Sequence, residues 1–181
     1  MDIIKSPASI RINLKGPLMK RLSHCLAALL LIVVASRGAS AQPPARSVGK
    51  LTFEVLFTAA ARKDAADGRA FVMISKTPAP EPRLQTEDYR GTTPFFGADV
   101  EGLKPGQTAI VDDKADGYPL DRISDIPPGD YYVQGMLNVY MTFYRSDGHV
   151  LKMHMDQWEG QHFQASPGNL FSEPKMIHLD P

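Results

Sequence analysis

Hydrophobic and polar positions alternate from residue 51 onward. Leu51, Phe53, Val55 and Phe57 are interleaved with Thr52, Glu54 and Leu56, the period-2 signature of a strand with one buried face. Further segments rich in β-branched and aromatic residues run from Arg69 to Ser75, Gln107 to Val111, Tyr131 to Phe143, His149 to Met155 and Lys175 to Leu179. Clusters of Gly, Pro and Asp separate them, so at least six strands are expected, counting Lys50 to Phe57. In the longest, Tyr131, Val133, Gly135, Leu137, Val139 and Met141 share one face, and Tyr132, Gln134, Met136, Asn138 and Tyr140 the other. Both faces are partly apolar, which predicts a central strand. Arg145-Ser146-Asp147-Gly148 supplies an Asp-Gly pair suited to positive φ, so the strands on either side should form an antiparallel hairpin.

Thirteen of the 15 prolines follow Ala41. An interior proline costs a helix about 3 kcal/mol, so their spacing confines helix to short turns. Ile126-Pro127-Pro128-Gly129-Asp130-Tyr131-Tyr132 reads as a proline-fixed turn into the long strand. A tyrosine six residues after the apolar Ile126 is similar to the tyrosine corner of immunoglobulin-like and fibronectin-like domains. The expected fold is all-β, an antiparallel two-sheet sandwich of that kind. Thr77 to Gly106, with five prolines and few strand signals, is expected to be a long loop across its surface. Phe95 and Phe96 are expected to pin that loop to the sandwich.

The amino-terminal part has a different pattern. Basic Lys20-Arg21 precedes the apolar run Cys25 to Ala35, and Ala39-Ser40-Ala41 follows as a small-x-small cleavage site. Residues 1–41 therefore read as a secretory signal cut before Gln42. The run is too short for the ~20 residues of a membrane span, so no stable anchor is expected after cleavage. A leader starting at Met19 has ordinary proportions, which makes Met19 an alternative start. Residues 42–47 read as a flexible tether and 48–181 as one domain. The product is expected to be periplasmic or extracellular.

Composition then removes several functions. Of 20 basic and 20 acidic residues, six and one precede Gln42, leaving 14 against 19. That acidic excess, without a basic cluster, argues against nucleic acid as a partner. The single cysteine, Cys25, lies in the leader, so the exported domain has neither a disulfide nor a thiolate metal site. A Gly-x-Ser-x-Gly elbow, a phosphate loop, a dinucleotide fingerprint and a His-Glu-x-x-His helix are all missing from the sequence. No catalytic residue and no cofactor is assigned. Asp112 to Gly117 resembles part of a calcium loop, but Ile123 stands where the bidentate carboxylate is required, so an ordinary turn is expected.

The densest polar chemistry is His149 to His162. In a continuing strand His154 and Asp156 share a face, which gives two converging ligands where a zinc site needs at least three. A structural role is therefore preferred to metal, and a small metal-dependent enzyme using His154, Asp156 and His162 is the first alternative. Trp158, flanked by Gln157 and Glu159, is an apolar ring edged by hydrogen-bonding groups. It is the candidate centre of a contact or of a glycan site, which is the second alternative.

Thr93 to Gly106, Ile126 to Tyr140 and His154-Met155-Asp156-Gln157-Trp158-Glu159-Gly160-Gln161 resemble the amino-terminal β-domain of uncharacterised exported bacterial proteins. Those chains continue into an esterase domain of the α/β-hydrolase type. The resemblance implies a domain associated with a hydrolase. It carries no catalytic serine onto this chain, which stops at Pro181. The expectation is an exported, non-catalytic accessory or binding domain whose partner is a hydrolase domain or a glycan.

Overall fold

The computed structural model describes residues 10–15, 51–86, 93–155 and 162–181. These form ten strands: β1 (Ile10–Lys15), β2 (Thr52–Phe57), β3 (Ala66–Ser75), β4 (Phe95–Leu103), β5 (Ala109–Val111), β6 (Asp116–Tyr118), β7 (Gly129–Tyr144), β8 (Val150–His154), β9 (Leu170–Phe171) and β10 (Lys175–Leu179). The only helical pieces among the described residues are 3-10 turns at Pro82–Gln85, Ile123–Asp125 and Phe163–Ala165. No helix among them is long and apolar enough to cross a membrane.

The strands make two antiparallel sheets, an all-β sandwich. The smaller has the order β1-β2-β5 and the larger β10-β7-β3-β4-β6. On β2 the alternation is realised: Phe53, Val55 and Phe57 are fully buried and their neighbours half-buried. They meet Ala70, Val72 and Ile74 of β3, Phe96 of β4 and Val133, Leu137 and Val139 of β7 in one core between the sheets.

β7 is central, as its two apolar faces suggest. Along one edge it pairs with β3, from Ser75 opposite Tyr132 to Gly68 opposite Val139. Its other edge is shared by β10 at residues 129–133 and β9 at 136–137, and further along β7 pairs with β8 at 140–144. The second face of β7 has a core of its own, where Met136 joins Phe71 and Met73 under Phe95, Phe163 and Phe171.

The tyrosine corner is formed, but by Tyr131 and not by Tyr132. Tyr131 Oη donates to the carbonyl of Pro127 at 2.7 Å, and Lys76 Nζ lies 3.4 Å from its ring centroid. The Asp-Gly hairpin is also present. Gly148 takes φ +85° and donates to Arg145 O at 3.0 Å, a left-handed position that glycine adopts without steric cost.

The long-loop expectation for Thr77 to Gly106 needs correction, because Phe95–Leu103 is a strand in the larger sheet. Phe96, Ala98 and Val100 pack on the main core, while Phe95 packs on the second. Pinning of the two phenylalanines therefore holds, in opposite directions from one strand. A further strand, β1, lies within the range read as leader and pairs with β2 over six residues. The apolar run, the cleavage site and the tether lie outside the described residues.

Candidate functional site

Two neighbouring features of β7 and β8 stand out from the body of the sandwich. The first is an arm. β3 accompanies β7 only as far as Val139, and beyond it β7 and β8 continue as a two-stranded ribbon with Met141 opposite Met153 and Phe143 opposite Leu151. Directly opposed residues in an antiparallel pair share a face. These four thus form one apolar patch that extends the stripe of Val133, Leu137 and Val139 past the end of the core. Met141 is 45% exposed, Phe143 37%, Leu151 41% and Met153 45%. Six of the ten exposed large hydrophobic residues among the described residues lie on this arm, Tyr144 and Val150 being the others. Two strands alone are marginal in water, and here the polar face gives one anchor. Lys152 Nζ is 2.9 Å from Asp67 Oδ2 at the start of β3. Hydrogen bonds from Lys152 and from the Gly102 amide hold the Asp67 carboxyl below its ordinary value. The hydrogen bond to Asp67 raises the lysine.

The second feature is the open end of the other face of the larger sheet. Arg69 Nη1 donates to Asp99 Oδ1 at 2.9 Å and Nη2 to the Gly97 carbonyl at 3.1 Å, and Nη2 also bonds Asp116. Burial works against the charge of the guanidinium, but the bond to Asp116 and the field of Asp99 outweigh it, so Arg69 is held more firmly protonated. Gly97 permits this packing, since a Cβ there would lie 2.6 Å from Arg69 Nε and 2.7 Å from the Phe71 ring. Tyr140 completes the group. Burial, and then the nearby Asp99 carboxylate, raise its hydroxyl and keep it a neutral phenol. Beside them a cleft of about 360 Å³ opens between Asp99, Ile110, Asp112, Lys114 and Asp116.

Of the sequence-level candidates, His154 and His162 lie among the described residues. His154 closes β8 opposite Tyr140. His162 begins the Phe163–Ala165 turn, whose Phe163 stacks 5.0 Å from Phe71. Asp156, Gln157, Trp158 and Glu159 lie outside the described residues, in the connection between these two histidines. His149 sits instead in the hairpin turn, 3.1 Å from Asp147. No three His, Cys, Asp or Glu side chains among the described residues are placed to hold a metal ion together. In the calcium-like turn Asp112 accepts from the Lys114 amide at 2.9 Å and Asp113 from the Ser124 amide at 3.0 Å. Asp116 is in an edge strand, bound to Arg69.

Sequence reasoning missed the polar layer that seats residues 162–172 over β7. Asn138 Nδ2 donates to Phe163 O at 3.1 Å and to Asn169 Oδ1 at 2.8 Å. Gln134 Nε2 donates to Ser172 O at 2.8 Å, and Gln134 Oε1 accepts from the Arg83 amide at 3.0 Å. The available signal was the pair Gln134 and Asn138 four residues apart on one face of a strand otherwise fit for a core. Buried amides of this kind need partners. Compared with protein-family models, curated proteins and solved structures, the chain matches none.

Proposed function

We propose that this is an exported, non-catalytic accessory domain that docks on a hydrolase partner through the apolar face of the β7–β8 arm. The observation carrying the reading is the continuation of the core stripe into four exposed side chains, Met141, Phe143, Leu151 and Met153. A contiguous apolar patch on a ribbon that is marginal alone is best explained by a surface that covers it. The polar end beside it, with Arg69, Tyr140 and His154, suits the hydrogen-bonding rim of such an interface. The leader pattern supports export, and the resemblance of residues 93–106, 126–140 and 154–161 supports a partner of the esterase type. Trp158, in the connection leaving the arm, is a second anchor in this reading.

The test is titration of the purified chain with the esterase domain of the exported proteins it resembles. A 1:1 complex is expected, weakened at least about tenfold by Phe143→Glu or Met153→Glu, with about 2 kcal/mol lost in Trp158→Ala, the scale of an anchor residue. The chain alone should hydrolyse no ester above background. Ester hydrolysis by the isolated chain, or a complex indifferent to the arm substitutions, would overturn the proposal. Export is checked separately: expression with the full leader should give a periplasmic or secreted species beginning at Gln42.

A further inference from the structure

β1 is the least expected strand in the molecule. It is separated from β2 by 36 residues, and it adds to the free side of β2 while β5 holds the other. The pairing is antiparallel and continuous, from Ile10 opposite Phe57 to Lys15 opposite Thr52. Ile12, opposite Val55, packs against the main core. Phe53, Val55 and Phe57 are anchored from the inside by both sheets, so the inner face of β2 has most of its packing without β1. β1 contributes a row of backbone partners, with Ile12 over the core margin.

A strand edge of this kind recognises another extended chain, with main-chain hydrogen bonds giving affinity and alternate side chains giving register. We propose that the outer edge of β2 is a strand-acceptor site and that Ile10–Lys15 is its built-in occupant. The site takes an extended antiparallel segment with apolar residues opposite Phe53, Val55 and Phe57. Ile10-Arg11-Ile12-Asn13-Leu14-Lys15 has that pattern. Cutting after Ala41 would remove the occupant from the chain and leave the edge to a partner strand of the same pattern. That consequence rests on the export reading, whereas the acceptor site itself does not.

The experiment uses the full chain, with the edge vacated by Asn13→Pro. Phe57 O is turned to the β5 side by its bond from the Gly106 amide, so the even-numbered residues of β2 face β1, and proline opposite Glu54 removes a ladder donor and disfavours the pairing. A labelled peptide of residues 9–16 is added in trans. It should bind the variant 1:1, about tenfold or more tighter than wild type, whose edge is filled. Slowed amide exchange within Thr52–Phe57 should accompany binding. Should Asn13→Pro not fold, Ile12→Asp takes its place, since it removes the apolar anchor and leaves the backbone intact. A folded variant that ignores the peptide overturns the proposal, as does equal binding by wild type. Self-association through the vacated edge that the peptide cannot compete away also overturns it, by assigning the edge to a second copy. An uncut leader would count against export alone, so the two failures are distinguishable.

Discussion

The two halves of β7 share one alternating pattern but differ in burial. From Tyr131 to Val139 the odd-numbered side chains lie in the main core, and Gln134, Met136 and Asn138 are buried on the other face. From Met141 to Tyr144 every side chain is exposed. Residue type does not distinguish Leu137 from Phe143. The difference is that the pairing with β3 ends at Val139, so that beyond it β8 is the only strand paired with β7 among the described residues. Apolar character is thus buried in the core in one half and left exposed in the other.

The sharpest test of that contrast is a pair of truncations. Leu137→Ala should cost about 2–5 kcal/mol, the range for a buried leucine. Phe143→Ala should stay within about 0.5 kcal/mol, as surface substitutions do. Denaturant midpoints measure both, and equal losses would mean that the arm belongs to the cooperative core. Asn138→Ala should follow at about 1–3 kcal/mol, because it strands the Asn169 Oδ1 acceptor that its amide serves and leaves Phe163 O with only the bond from Asn169 Nδ2. Hydrogen exchange should quicken in residues 162–172 while β2 is unaffected. Tyr131→Phe removes the 2.7 Å bond to Pro127 O and should cost about 1 kcal/mol, visible as a small drop in Tm.

The smallest effect concerns the arm's ionic anchor. Asp67 is held below its ordinary 3.8, so its contribution is present above that pH and is lost as pH falls through the lowered value. Lys152 is held above its ordinary 10.5, so its share is present below that pH and is lost as pH rises through the raised value. Between these limits Lys152→Ala should loosen the arm slightly, seen as faster amide exchange at Val150–His154 with little change in Tm. Below the lowered Asp67 value the variant and wild type should converge.

The strands that could be read from the sequence are those whose pattern and boundaries agree. β2, β3, β7, β8 and β10 combine apolar alternation or a buried apolar run with clear turn residues, and they fall within a few residues of expectation. β4 was concealed by Pro94, Gly97, Gly102 and Pro105, although Phe96, Ala98 and Val100 do alternate with Gly97, Asp99 and Glu101. Gly97 weakens a strand locally, and only the tertiary packing shows that it makes room for Arg69 and Phe71. β6 and β9, of three and two residues, are too short for periodicity to register. In the candidate site, the sequence brought His154 into view and joined its strand to that of Tyr140 through the hairpin, but gave no reason to bring Arg69 of β3 beside them.

Taken alone, the sequence determined the all-β class, the long central strand, the Asp-Gly hairpin and the use of a tyrosine at the corner, because each is written in local alternation or turn chemistry. It also determined the expectation of a leader. Tertiary structure decided which of Tyr131 and Tyr132 makes the corner bond, which face of each phenylalanine is buried, and that Ile10–Lys15 can complete β2. It decided too where burial stops along β7. Those outcomes depend on strands that are distant in sequence and adjacent in space. A period-2 pattern specifies the sides of a strand, but only its neighbours specify which of those sides is covered.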